Sequence, residues 1–175
     1  MEYRMSSIIK AAAKDSQLLA LIAEKSFIES HGRSAGQEVI DSYVKEKFSR
    51  DAFKEELSSS QNIYHIIFHD DQPAGYSKII LNSAHPTIPI KKVTKLERIY
   101  LLKEFYGLQL GLELFEFNLN LSKQQDQEGM WLFVWKENQR ALSFYKKNKF
   151  RIIGSHDFKL SETHANPNHL MFLEY

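Results

Sequence analysis

The chain has 175 residues, 43% hydrophobic and 26% charged, a size that suits one domain and buries roughly 70% of the unfolded surface, enough for a core without staples. With 23 basic and 22 acidic residues the net charge is +1, so no global field recruits nucleic acid or an anionic membrane. The absence of cysteine excludes disulfides, zinc ribbons, thiol nucleophiles and cysteine-held iron–sulfur clusters.

Residue 7 to residue 10 reads as a short strand, and 15–27 as a helix with apolar residues at 18, 19, 22, 23 and 27 and Asp15 placed as its N-cap. The apolar run 18–23 is too short for a membrane span or a signal-peptide core, so a cytoplasmic protein is expected. Helices follow at 37–48, through Ile40, Tyr43, Val44 and Phe48, and at 51–57. Strands at 63–68 and 76–81 flank a turn at 70–75 that Gly75 ends. A strand at 94–102, a helix at 108–123 and a buried strand at 130–135 come next, then a helix at 138–148 and strands at 150–153 and 169–175. No Gly/Ser linker or internal repeat divides the chain, so 1–175 reads as a single domain. Helices, then a hairpin, then alternating strands and helices predict an α/β fold, a mixed sheet with helices on both faces. Phe105, Phe115, Phe117, Trp131, Phe133 and Trp135 read mostly as core.

Two segments carry chemistry. In 96–111, "LERIYLLKEFYGLQLG", a strand meets a loop with Gly107 and Gly111 and a helix follows at once. Such a junction offers unpaired N–H groups and a positive helix end to a phosphate, or it serves tight packing alone. In 131–150, "WLFVWKENQRALSFYKKNKF", Asn138 is placed to cap a helix, and Tyr145 lies about two turns on along the same stripe. The amide and the phenol either line a groove beside Ala141 or merely cap and pack. His156, His164 and His169 sit near the C-terminus without HExxH or carboxylate–histidine spacing, and no metal is expected.

Together the segments resemble the GNAT superfamily of N-acetyltransferases. Its helix pattern N-x-x-A-x-x-F-Y-x-x-x-G-F is met by Asn138, Ala141, Phe144, Tyr145 and Phe150, with Lys149 in place of the glycine. "LERIY" at 96–100 and "SHDFKL" at 155–160 look like the bacterial branch that includes the PaiA-type polyamine acetyltransferases. The loop pattern R/Q-x-x-G-x-G/A departs at Tyr106 and Gln109 and matches at Gly111, with Gly107 at a neighbouring position. If position 109 is left-handed, glutamine there costs about 1–2 kcal/mol.

The resemblance implies a GNAT-like central splayed β-sheet flanked by helices on both faces. It implies acetyl-CoA as cosubstrate, with its pyrophosphate over Tyr106, Gly107, Leu108, Gln109, Leu110 and Gly111. Its pantetheine arm would pair with the strand at Ile99, Tyr100 and Leu101, where a main-chain N–H polarises the thioester carbonyl. Tyr145 corresponds to the proton donor for the leaving thiolate, and Asn138 would bond the pantetheine arm. Lys147 either reaches a CoA phosphate or is a solvated helix residue. Glu97, of the same strand parity as Ile99 and Leu101, is either the base acting through a water or half of an ion pair. Glu29, His31 and Asp41 either meet a cationic acceptor or are ordinary surface residues, and Tyr100 and Trp135 are candidates for the acceptor's border without a sequence signal of their own.

The implied activity is direct transfer of the acetyl group to a primary amine of a small molecule, a polyamine among the candidates. The alternatives are a non-catalytic acyl-CoA-binding or regulatory protein and an acetyltransferase of protein N-termini or lysines. Neither nucleic acid nor membrane is an expected partner, and a homodimer is left open.

Overall fold

Strand β1 (Ser6–Lys10) opens the fold in the computed structural model, which describes residues 5–175. A 3-10 turn (Ala13–Asp15) leads into α1 (Ser16–His31), α2 (Gln37–Lys47) and α3 (Arg50–Ser58). The hairpin strands β2 (Asn62–His69) and β3 (Gln72–Ile80) precede β4 (Val93–Leu101), a second 3-10 turn (Lys103–Phe105) and α4 (Leu110–Gln124). The chain finishes with β5 (Gly129–Trp135), α5 (Gln139–Lys147), β6 (Arg151–Lys159) and β7 (Ala165–Glu174). Among the described residues seven strands lie in the order β1-β2-β3-β4-β5-β7-β6. The β4–β5 pair is parallel, and the β1–β2, β5–β7 and β6–β7 pairs are antiparallel. This is the expected α/β class, a mixed sheet flanked by helices.

The chain divides into two compact units, one made of residues up to 79 with 98–118, the other of 80–97 with 119–175. In the first, α1 buries Leu19, Ile22, Ala23, Ser26 and Phe27, the i, i+3, i+4, i+7 spacing of one helical face. It runs on to His31, past the expected end at 27, and closes where the Gly32 N–H reaches Ile28 O at 2.9 Å. Asp15 precedes the helix, but its carboxylate accepts the Ala12 N–H at 2.8 Å and makes no cap bond to α1. α3 begins at Arg50 because the Ser49 hydroxyl accepts the Ala52 N–H.

The β2–β3 turn is tighter than expected. Asp70 (φ 47°) and Asp71 (φ 62°) are both left-handed, a two-residue loop whose twist matches the flanking strands. Gly75 therefore does not end the turn but lies inside β3. A Cβ there would stand 2.3 Å from Tyr100 O and 2.5 Å from Leu101 Cδ2, so β4 can approach only a residue without a side chain.

In the second unit the parallel register joins Val93, Thr94 and Lys95 to Gly129, Met130 and Trp131. Ile88, Val93, Trp131, Leu170 and Phe172 pack as one buried cluster of its core. Ser122 ties the unit together internally: its Oγ lies 2.6 Å from Thr94 Oγ1 and accepts the Tyr175 hydroxyl at 2.7 Å. Both C-terminal strands are longer than their apolar runs predict. β6 is largely exposed along its length, with a register irregularity between Ile152 and Gly154, so its pairing with β7 leaves no period-2 hydrophobic signature. Among the aromatics read as core, Phe117 is 39% exposed and Phe133 and Trp135 are partly buried, while Phe105, Phe115 and Trp131 are buried.

Candidate functional site

Local backbone chemistry shapes the junction between β4 and α4. Leu102 donates its N–H to Ala74 O at 2.9 Å, and the chain then turns through Lys103–Phe105. Gly107 adopts φ +85° and Gln109 φ +61°, so both stand in the left-handed region. The helix accordingly starts at Leu110 rather than at 108, with Gln109 O accepting the Glu113 N–H at 3.0 Å. The N–H groups at the start of α4 have no carbonyl one turn earlier to meet, and they form the positive end of the helix. A Cβ on Gly107 would meet nothing among the described residues within 4 Å, so these leave the outer side of the loop open. Gly111 faces inward, where a Cβ would lie 3.3 Å from Leu101 Cδ1. Ile99, Tyr100, Leu101 and Tyr106 are partly buried, Leu108 and Gln109 are exposed and Leu110 is buried. This stretch of one unit can hold an anion by its main chain.

In the second unit, Asn138 caps α5: its Oδ1 accepts the Ala141 N–H at 3.1 Å and leaves the amide NH2 to donate. Tyr145 is 8% exposed and meets Phe144 and Phe150 edge-on, each at 5.5 Å between ring centres. The helix ends in a Schellman motif. Lys149 is left-handed (φ 68°), Phe150 N–H reaches Tyr145 O at 3.0 Å, and Lys149 N–H reaches Lys146 O at 3.0 Å. That geometry explains the glycine of the motif pattern at this position. Lys147 is exposed.

Glu97 is partly buried and pairs with Lys95 Nζ at 3.2 Å, the ion-pair alternative of the two readings. Lys95 also lies over Trp131 (5.2 Å) and Phe133 (5.7 Å). His85 meets Trp131 edge-on at 4.8 Å, and His156 stacks on Phe133 at 4.3 Å. Burial lowers the His85 pKa, helped by His156 and Lys95.

The first unit also contains a polar cluster that the sequence reading missed. Glu56 accepts from Lys78 Nζ at 2.6 Å and from the Tyr64 hydroxyl, and it faces Arg98 at 3.5 Å. Burial works to raise the Glu56 carboxyl, but Arg98, Lys78 and Tyr64 outweigh it and hold it below its ordinary value. Arg98 donates to the Tyr64 hydroxyl at 3.0 Å and lies over Phe48 (5.1 Å) and Phe53 (6.0 Å). A closed series of ring contacts in the same unit runs through Tyr64, Tyr76, Tyr100, His31, Phe27, Phe48 and Phe53. Tyr43 stacks on Phe27 at 5.1 Å. Burial raises the Tyr76 and Tyr100 phenols, and it lowers His31 to about 4. The one available signal was strand parity: Arg98 and Tyr100 share the β4 face opposite to Glu97 and Ile99.

Of the residues read as meeting or bordering the acceptor, His31 and Tyr100 join this cluster, while Trp135 belongs to β5 of the second unit. Glu29 instead accepts the Lys103 N–H at 2.7 Å, and Asp41 accepts from Gln37 at 2.7 Å within α2.

Comparison with known proteins places these features in context. The acetyltransferase (GNAT) family model matches residues 26–150. The uncharacterized N-acetyltransferase in the pepI 3′ region of Lactobacillus delbrueckii subsp. lactis is 25% identical over 155 residues, 89% of this chain and 90% of that protein. The spermidine N(1)-acetyltransferase of Thermoplasma acidophilum is 27% identical over 151 residues, covering 83% and 88% of the two chains. Among solved structures, the PaiA N-acetyltransferase of Thermoplasma acidophilum in complex with coenzyme A superimposes with a TM-score of 0.78. It is 22% identical and covers 98% of this chain and 99% of that one.

Proposed function

Because the chain belongs to the acetyltransferase (GNAT) family, we propose that it transfers the acetyl group of acetyl-CoA to the primary amine of a small molecule by direct attack. The observation that carries this reading is the left-handed turn at Gly107 and Gln109 opening into α4. A turn of this kind offers a pyrophosphate main-chain donors and a positive helix end. The relative that acts on spermidine makes a polyamine the first acceptor to try.

In the proposed reaction the amine nitrogen forms a bond to the thioester carbonyl carbon, and the carbon–sulfur bond breaks. Ile99, Tyr100 and Leu101 pair with the pantetheine arm, and a main-chain N–H there stabilises the oxyanion. An acceptor resembling lysine, with pKa ~10, must shed a proton, and a thiolate with pKa ~8.5 takes one up. Tyr145 donates to the sulfur. Glu97 receives the amine proton through a water when it is released from Lys95. Asn138 donates its amide NH2 to the pantetheine arm, and Lys147 meets a CoA phosphate.

The test is CoA release followed with a thiol reagent across a panel of amines, polyamines and peptides. Release that depends on one class of small amine is the expected result. Coenzyme binding without amine-dependent release would instead make the protein a non-catalytic acyl-CoA binder, and release with peptides alone would make it a protein acetyltransferase. Tyr145→Phe should lower turnover about 100-fold or more at saturating acetyl-CoA while leaving CoA affinity nearly intact. Unchanged turnover would reject Tyr145 as the proton donor.

A further inference from the structure

The ring cluster of the first unit holds a polar group that none of the roles above uses. Tyr76 is wholly buried, and its hydroxyl has no hydrogen-bond partner among the described residues. A buried donor is costly to leave unmet, and native folds seldom keep one without a reason. The Tyr76 ring stacks against Tyr100 at 5.9 Å and against Tyr64 at 6.3 Å. Tyr43 and Tyr100 both act electrostatically on the Tyr76 phenol, and Tyr43 acts on Tyr100, so three phenols share one locality.

Charge decides what chemistry suits them. Two cations already lie against these rings: Arg98 sits over Phe48 and Phe53 and donates to Tyr64, and Lys78 sits over Tyr64. The Arg98 guanidinium acts on the Tyr76 phenol more strongly than the Glu56 carboxylate does, and it acts on Tyr100 as well. Glu56 itself is engaged by Lys78, Tyr64 and Arg98. His31, against Tyr100 at 5.9 Å, is held neutral by burial at ordinary pH. A second ammonium brought here would meet the like charge of Arg98. A carboxylate would accept from the phenols and be drawn to the guanidinium.

We infer that Tyr43, Tyr76 and Tyr100, beside Arg98, form the subsite for a carboxylate carried by the acceptor, so that the substrate is an amino-acid-like amine rather than a polyamine. The inference rests on the reading that Ile99, Tyr100 and Leu101 hold the thioester, since Tyr100 then borders both groups.

The experiment compares ω-amino acids with diamines of matched chain length, γ-aminobutyrate against putrescine among them, at saturating acetyl-CoA. The better amino acid is expected to exceed its matched diamine in kcat/KM by about tenfold or more, the worth of one charge-assisted hydrogen bond. Tyr76→Phe should narrow that ratio about fivefold or more through KM rather than kcat. It should also weaken binding of the amino acid to the CoA-bound protein in calorimetry, while the melting temperature of the free protein holds or rises because an unmet donor has gone. Preference for the diamine, or a ratio untouched by the substitution, overturns the inference and leaves the acetyltransferase reading standing. Failure of the wild-type protein to bind CoA in the same calorimeter overturns both.

Discussion

Gln109 and Lys149 occupy positions where the backbone asks for glycine. Their φ values of +61° and +68° put each Cβ too close to a neighbouring carbonyl, which costs about 1–2 kcal/mol per residue. Glycine would relieve this and give back roughly 0.5–1 kcal/mol through the greater freedom of its unfolded chain. Gln109→Gly and Lys149→Gly are therefore each expected to stabilise by up to about 1 kcal/mol, seen as a higher urea midpoint at unchanged m-value. Both conflicts were legible beforehand, because the motif pattern marks these sites as glycine. The orphaned hydroxyl of Tyr76 was not legible: nothing in a strand sequence says which of its tyrosines will be left without an acceptor.

Elements were read well where a local rule governs them. The cap of α5 needs only Asn138 and the three residues after it, whereas the start of α4 was read two residues early because the left-handed Gly107 and Gln109 delay the helix to Leu110. Elements defined by partners far along the chain were read less well. β6 and β7 extend beyond their apolar cores because they hold each other, and Pro167 within β7 gives no warning of a strand. Gly75 is the sharpest case, since its necessity comes from Tyr100 and Leu101, residues of another strand. Gly75→Ala should cost about 1–3 kcal/mol as an overpacking change. It should also weaken CoA binding, because the strand displaced is the one proposed to hold the pantetheine arm. Calorimetry with CoA together with a denaturation curve measures both, and a variant that loses stability but keeps its affinity would uncouple that strand from the cofactor.

For the molecule as a whole, acid is the condition to which the buried histidines respond. Burial lowers His31 and His65 from 6.5 to about 4, with Lys10 adding to the effect at His65. The folded protein keeps both rings neutral while the unfolded chain protonates them below 6.5. Their stabilising contribution is thus whole above that pH and is lost as the pH falls toward 4, about 3 kcal/mol at most for each. Urea midpoints should drop between neutral pH and about pH 5, and the drop should shrink in His31→Gln/His65→Gln; an equal drop in that variant would assign the acid response elsewhere. The class of the fold and the positions of the loop and of α5 were readable from spacing alone. The cluster of Glu56, Lys78 and Arg98 was not, because it assembles from α3, β3 and β4. Both tryptophans, Trp131 and Trp135, belong to β5 and hence to the second unit. Indole emission will therefore report the surroundings of that strand alone, and transitions confined to the tyrosine-lined half must be followed by near-ultraviolet dichroism or by amide exchange.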